Sequence, residues 1–228
     1  MKLLIILPAF NEAKVIAGVL AQIKGVAQKL PFDREVVLID DGSGDQTAAL
    51  AAKAGAIVLC HVINRGLGAS LTSGLEYARQ KNFDLAVTMD ADGQHHPDDL
   101  IRVLKPLIDK RADVVIGSRM LKPCGQMPLL RRINNRAFNL LTRIFFGINT
   151  TDSLSGFRAF NRKAIQLIEL KTERIEVSNE FFAEIKRHNL RFAEVPIEVI
   201  YTDYSLAKGV RPGNVFAIIF RLVLKLLR

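Results

Sequence analysis

Over its first 116 residues the chain alternates short apolar runs with longer amphipathic stretches, and no other feature narrows its possible folds as far. Residues 2–7 (KLLIIL), 35–39 (EVVLI), 57–60, 85–89 and 114–116 are largely apolar, the pattern of strands covered on both faces. Residues 11–30, 45–53, 67–80 and 97–108 lie between them with helical spacing, as at Val15, Val19, Leu20 and Ile23. Strand and helix in regular alternation predict an α/β domain on a doubly wound, mostly parallel sheet. A length of 228 residues suits one such domain. Beyond residue 120 the alternation stops, and the remainder reads as helices with one strand near 192–200. We expect one domain over 1–210 that includes these helices, followed by a basic amphipathic C-terminal helix over 211–228.

Doubly wound sheets bind ligands at the carboxyl ends of their strands, so the residues after each run carry the functional information. Here they are polar: Pro8-Ala9-Phe10-Asn11-Glu12, Asp40-Asp41-Gly42-Ser43, Asn64-Arg65-Gly66, Asp90-Ala91-Asp92-Gly93-Gln94 and Gly117-Ser118-Arg119. Two carboxylates one residue apart, Asp90 and Asp92, can meet a divalent cation together while a diphosphate supplies further oxygens. A helix N-terminus explains Asp98 and Asp99 but leaves Asp90 and Asp92 unexplained. Asp40 and Asp41 can accept hydrogen bonds from ribose hydroxyls or a base N–H, and a turn capped by Asp45 is compatible with that role. Gly66 and Gly68 open a helix in a way that suits either backbone contact with a phosphate or close packing. His95 and His96 read as part of a polar rim, because a hard cation prefers oxygen. His61 and His188 read as structural, without convergent partners.

Taken in order and spacing, the segments at Pro8–Glu12, Asp40–Ser43, Asn64–Gly68, Asp90–Gln94 and Ser155-Gly156-Phe157-Arg158 resemble family 2 glycosyltransferases of the dolichyl-phosphate mannosyltransferase type. The resemblance covers residues 3–160 and implies a GT-A fold, inversion at the anomeric centre and dependence on Mg2+ or Mn2+. It implies nucleoside contact at Pro8, Ala9, Asn11, Glu12 and Asp41, and cation or diphosphate contact at Asp90, Asp92 and Gln94. Ala91 and Gly68 are grouped with the nucleotide-sugar site. Arg119 and Arg131 resemble the family's acceptor-phosphate arginines, with Arg132 as the alternative to Arg131; with Asp92 they are the candidate catalytic groups. The family usually carries an arginine-bearing segment ahead of a Ser-Lys late in the domain, where this chain has Tyr201-Thr202-Asp203-Tyr204-Ser205-Leu206-Ala207-Lys208. Lys208 remains a candidate for the donor phosphates, while the identity of the sugar and base stays open.

Charge and patterning bear on the acceptor. A formal net charge of +9 suits anionic lipid or phosphorylated ligands. With 7% aromatic residues, no tryptophan and no recognisable nucleic-acid motif, nucleic acid is not an expected partner. Cys60 and Cys124 lie far apart, without metal-ligand spacing, and fit a reducing compartment. The apolar run that ends at Pro8 is too short for a signal peptide, so a cytoplasmic protein, peripheral on the inner face of a membrane, is expected. Between residues 130 and 145, Arg132, Arg136, Asn139 and Arg143 form a stripe opposite Leu130, Ile133, Leu140, Leu141, Ile144 and Phe145. This pattern suits a lipid interface or, alternatively, a surface helix turned apolar side inward. Residues 215–228 carry Arg221, Lys225 and Arg228 on one face and, as a helix about 21 Å long, are too short to span a bilayer.

These readings combine into transfer of a sugar from a nucleotide-sugar to a polyprenyl phosphate by single displacement. A phosphate monoester with a second pKa near about 6 is already anionic and needs no base. A saccharide hydroxyl acceptor would need one, and Asp152 is the candidate. A nucleotidyltransferase would carry a basic glycine-rich loop after the first strand, where this chain has no basic residue until Lys14. An inactive scaffold would not need Asp90 and Asp92.

Overall fold

The computed structural model describes residues 1–122, 127–174 and 176–200. Lys208, the segment over 201–209, the tail over 211–228 and Cys124 lie outside the described residues. Strands β1 (Lys2–Ala9), β2 (Asp33–Asp40), β3 (Ile57–Cys60), β4 (Leu85–Thr88) and β5 (Val114–Ser118) match the five apolar runs. Between them lie α1 (Ile16–Ala27), α2 (Thr47–Lys53), α3 (Leu67–Gln80) and α4 (Asp99–Ile108). Helix α1 begins later than its apolar spacing suggests, because Asn11 takes a φ of 55° and the chain turns there before Val15 and Ile16 bond the Glu12 carbonyl. The second half adds α5 (Leu129–Phe146), β6 (Arg158–Asn161), α6 (Arg162–Leu167), α7 (Val177–Arg187) and β7 (Phe192–Pro196).

The seven-stranded sheet has the order β3-β2-β1-β4-β6-β5-β7. Strand β6, which the apolar pattern did not indicate, runs antiparallel between β4 and β5. All other pairings are parallel, and β7 extends the edge beside β5. Alternate side chains of β1 enter opposite layers, as the two-residue strand period requires. Leu3, Ile5 and Leu7 pack with Leu20 of α1 and Leu104 of α4. Leu4 and Ile6 pack with Leu75 of α3 and Phe182 of α7. The chain leaves β1 toward β2 and β3 on one side and toward β4 on the other, which opens a crevice at the carboxyl ends of β1 and β4. Among the described residues, no helix is long and apolar enough to cross a membrane.

Candidate active site

That crevice holds a cavity of about 250 Å3 whose wall includes Pro8, Thr88, Asp90, Gln94, Arg119 and Arg131. The end of β4 brings Asp90 there. Gly156 lies directly against Asp90, so close that a Cβ on it would sit 2.3 Å from Asp90 Oδ1. Thr88 Oγ1 donates to the Gly156 carbonyl at 2.8 Å and fixes that approach. Behind Asp90 lies His95, buried and 5.1 Å from the Phe157 ring. The Asp90 N–H donates to His95 Nδ1 at 3.1 Å, which leaves Nε2, 3.6 Å from Asp90 Oδ2, to carry the proton of a neutral ring. Burial holds His95 down at about 4, so the ring is packing and support, in keeping with an oxygen-only cation site.

Partial loss of bulk water at the bottom of the crevice raises the Asp90 carboxyl above its usual range, against the opposing pull of Arg119 and Arg158, while 41% of the side chain stays exposed. Asp92 is raised as well, first by burial and then by Asp90. Two acids that resist ionisation side by side are the environment a divalent cation would relieve. The Gln94 N–H donates to Asp92 Oδ1 at 2.9 Å, and its side-chain amide donates to Oδ2. Hard oxygen donors, an Asp90 side chain 41% exposed toward the cavity and the missing Cβ at Gly156 all fit Mg2+ or Mn2+. Among the described residues, no three His, Cys, Asp or Glu gather as a complete metal-binding group. Ala91 faces the core layer beneath.

The remaining candidates divide between the crevice and its supports. Asp40 is buried with Oδ1 unpartnered. Asp41 instead accepts the N–H groups of Arg65 at 3.0 Å and Gly66 at 2.7 Å, and lies 2.7 Å from His61 Nδ1. His61 Nε2 in turn meets Ser73 Oγ at 3.0 Å. The reading of His61 as without convergent partners is therefore corrected; its ring sits between Asp41 and α3 and holds the loop after β3. His188 likewise has a partner, Glu184, at 3.3 Å. Gly68 packs on the loop before α7, where a Cβ would lie 1.8 Å from the Thr172 carbonyl, so the packing role of the glycine-rich turn is the one observed. Asn11 and Glu12 are tied to the start of α2 and the segment before it: Asn11 Oδ1 accepts from the Gly44 N–H at 2.9 Å, and the Glu12 N–H donates to Thr47 Oγ1 at 2.8 Å. Pro8 reaches the cavity directly, while Ala9 sits buried behind it.

Arg119 is held by Asp152, whose two oxygens each lie 2.7 Å from its guanidinium. Asp152 is fully buried, so the geometry makes it the partner that aims Arg119 and not a base open to a substrate hydroxyl. Arg158, the last residue of the Ser-Gly-Phe-Arg segment, is buried with its guanidinium carbon 4.5 Å over the Phe181 ring. Burial lowers it to about 10. Helix α5 carries Arg131 at the cavity wall and buries Asn135, Phe138, Thr142 and Phe146. Its opposite side exposes Leu129 at 73%, Ile133, Leu140 and Ile144 at 64%. Leu130, Ile133, Leu140 and Ile144 of the apolar stripe thus face outward, flanked by exposed Arg136 and Arg143, while Leu141 is half-buried and Phe145 packs inward against the core with Phe146. Asn135 had no signal in the sequence beyond its place on this helix, whose inner face pairs polar with aromatic residues.

Residues 4–168 match the family described as "Glycosyl transferase family 2". The chain belongs to glycosyl transferase family 2 and is a glycosyltransferase. It is 34% identical to a "UDP-N-acetylglucosamine--dolichyl-phosphate N-acetylglucosaminyltransferase" of Methanococcus voltae, over 96% of this chain and 94% of that one. It is 31% identical to an "Undecaprenyl-phosphate mannosyltransferase" of Micrococcus luteus, over 91% and 87%. In fold, this glycosyltransferase superposes with a TM-score of 0.74 on glucosyl-3-phosphoglycerate synthase of Mycobacterium tuberculosis, solved with Mn2+, UDP and glucosyl-3-phosphoglycerate, at 19% identity over 99% and 78%. The mostly parallel sheet is that of the GT-A glycosyltransferases.

Proposed function

We propose that this glycosyltransferase moves a sugar from a uridine- or guanosine-diphosphate sugar to the phosphate of a polyprenyl lipid, by inverting displacement at the cytoplasmic face of a membrane. The observation that carries the reading is one cavity with Asp90 and Gln94 at its wall, Asp92 bonded to Gln94 beside them, and cations at Arg119 and Arg131. Asp90, Asp92 and Gln94 would hold the divalent cation, whose charge would offset that of the departing diphosphate. Arg119, aimed by Asp152, and Arg131 would orient the acceptor phosphate toward the anomeric carbon. An already anionic phosphate needs no base, in keeping with an Asp152 that is engaged by Arg119. Relatives named for dolichyl-phosphate and undecaprenyl-phosphate transfer support the acceptor class. So does α5, which presents apolar side chains outward on the helix that carries Arg131.

Radiolabelled UDP-GlcNAc and GDP-mannose, each offered with polyprenyl phosphate and Mn2+, should yield a labelled lipid from one donor. Asp92→Asn should lower that turnover by about a hundredfold or more while leaving the melting temperature near the parent's. Transfer to saccharide hydroxyls with none to lipid phosphate would refute the acceptor assignment. Full activity of Asp92→Asn in EDTA would refute the cation site.

A further inference from the structure

We infer that Asn135 and Arg158 form a hydroxyl-reading pair for the transferred sugar, an inference that rests on the nucleotide-sugar reading of the same cavity. Both residues line that cavity, and both are at least nine-tenths buried, at 2% and 3% exposure. The Asn135 amide is oriented by its own bonding: Nδ2 donates to the Thr151 carbonyl at 3.2 Å, so Oδ1 is the other end, and it has no partner. Arg158 donates from Nε to the Ser155 carbonyl at 2.8 Å and from Nη2 to the Ser153 carbonyl at 2.9 Å, while Nη1 has no acceptor. Buried polar atoms seldom go unpaired, and here an acceptor and a cationic donor are left over on residues that share one cavity.

The two leftovers select the chemistry of the occupant. A phosphate dianion offers Nη1 an acceptor but has no hydrogen for Asn135 Oδ1. A polyprenyl chain offers neither. A sugar hydroxyl both donates and accepts, so sugar hydroxyls can satisfy both atoms. Arg158 is stiffened for the task by its two carbonyl acceptors and the Phe181 face, which hold its guanidinium in place. The Ser-Gly-Phe-Arg segment then acts at both ends: Gly156 leaves room for Asp90, and Arg158 faces the sugar that the diphosphate at Asp90 would carry.

Calorimetry in Mn2+ with UDP against UDP-GlcNAc, and with GDP against GDP-mannose, separates sugar contacts from nucleotide contacts. For the pair that the parent binds, Asn135→Ala should weaken the nucleotide-sugar about tenfold and leave the nucleotide diphosphate within about twofold. Retained diphosphate binding shows that the variant is folded. Donor analogues lacking one hydroxyl identify the contact, because the matching analogue should weaken on the parent but lose nothing more on Asn135→Ala. Arg158→Lys, which keeps the charge but not the fork, should show the same selectivity if its melting temperature is preserved. Equal loss of sugar and diphosphate on Asn135→Ala would make Asn135 structural, and unchanged affinity for both would mean that its Oδ1 meets only an ordered water; either overturns the pair. A parent that binds no nucleotide or nucleotide-sugar overturns the proposed function and this inference with it.

Discussion

Gly156 sets how Asp90 is presented. An added Cβ there would lie 2.3 Å from Asp90 Oδ1 and 2.7 Å from Oδ2, against the carboxylate on both sides of its fork. The side chain would have to rotate, because the Gly156 carbonyl is fixed by Thr88. Gly156→Ala should therefore weaken UDP binding in Mn2+ by about tenfold, about 1.4 kcal/mol, and change binding in EDTA little. Titration of UDP with and without the cation checks this, and an unchanged cation-dependent increment would show that Asp90 does not need its present orientation. The neighbouring acids illustrate what the sequence conveys about single residues. Strand-end position singled out Asp90 and Asp92 as candidates, because carboxylates placed just after a buried strand add nothing to the packing of the core and cost desolvation unless a cation or a donor meets them. Asp40 and Asp41 are adjacent and chemically identical, yet Asp41 is engaged by two backbone N–H groups and His61 while Asp40 keeps an unpartnered oxygen. That division depends on where the loop after β3 passes, which no local pattern encodes.

At the scale of elements, the join between β5, β6 and β7 rests on one buried acid. Asp113 accepts from Arg191 Nη2 at 2.8 Å and Nε at 3.1 Å, from the Arg191 N–H at 2.9 Å, and from Asn161 at 2.8 Å. The Arg191 guanidinium above all holds this carboxyl well below the usual range, with the Arg191 N–H and Asn161 acting in the same direction. A folded-state pKa lower than the unfolded one, about 3.9, means the stabilisation is complete above that value and is lost as pH falls below it. Asp113→Asn should lower Tm at pH 7 by about 2–4 °C, the shift expected for ~1 kcal/mol in a domain of this size. As pH falls below about 5 the gap between parent and variant should narrow steadily, and it should still be narrowing at about pH 2. A gap that stays constant over that range, measured by thermal melts, would show that the pair contributes nothing through ionisation. These three strands also show where pattern reading stops. Strands β1 to β5 are announced by apolar runs, whereas β6 is only Arg-Ala-Phe-Asn and begins and ends in polar residues. It is a strand because β4 and β5 flank it and Arg158 finds carbonyls and aromatic faces for its charge, and such tertiary support leaves no trace in a four-residue window.

For the whole molecule, α5 relates the cavity to a surface. Its inner side lines the cavity through Arg131 and Asn135, and its outer side exposes Leu129, Ile133, Leu140 and Ile144 beside Arg136 and Arg143. An exposed apolar row of this length beside cations suits the boundary of an anionic bilayer, where side chains enter the acyl region and arginines meet headgroups. Docking on this side would bring the wall that carries Arg131 toward the lipid phosphate. Two forces would then add: attraction of a chain of net charge +9 to anionic lipid, which salt screens, and apolar insertion, which salt does not. The parent should co-sediment with phosphatidylglycerol-containing vesicles at low salt and release only in part near about 1 M salt, where the Debye length is about 3 Å. Replacing Leu129, Ile133, Leu140 and Ile144 together with serine should remove the salt-resistant fraction and leave UDP affinity unchanged, because these side chains point away from the cavity. Replacing Arg136 and Arg143 with glutamate should instead reduce the salt-sensitive fraction. If the serine variant keeps its salt-resistant binding, the outer face of α5 is not the insertion surface, and the apolar positions Val215, Phe216, Ile218, Ile219 and Phe220 become the ones to exchange.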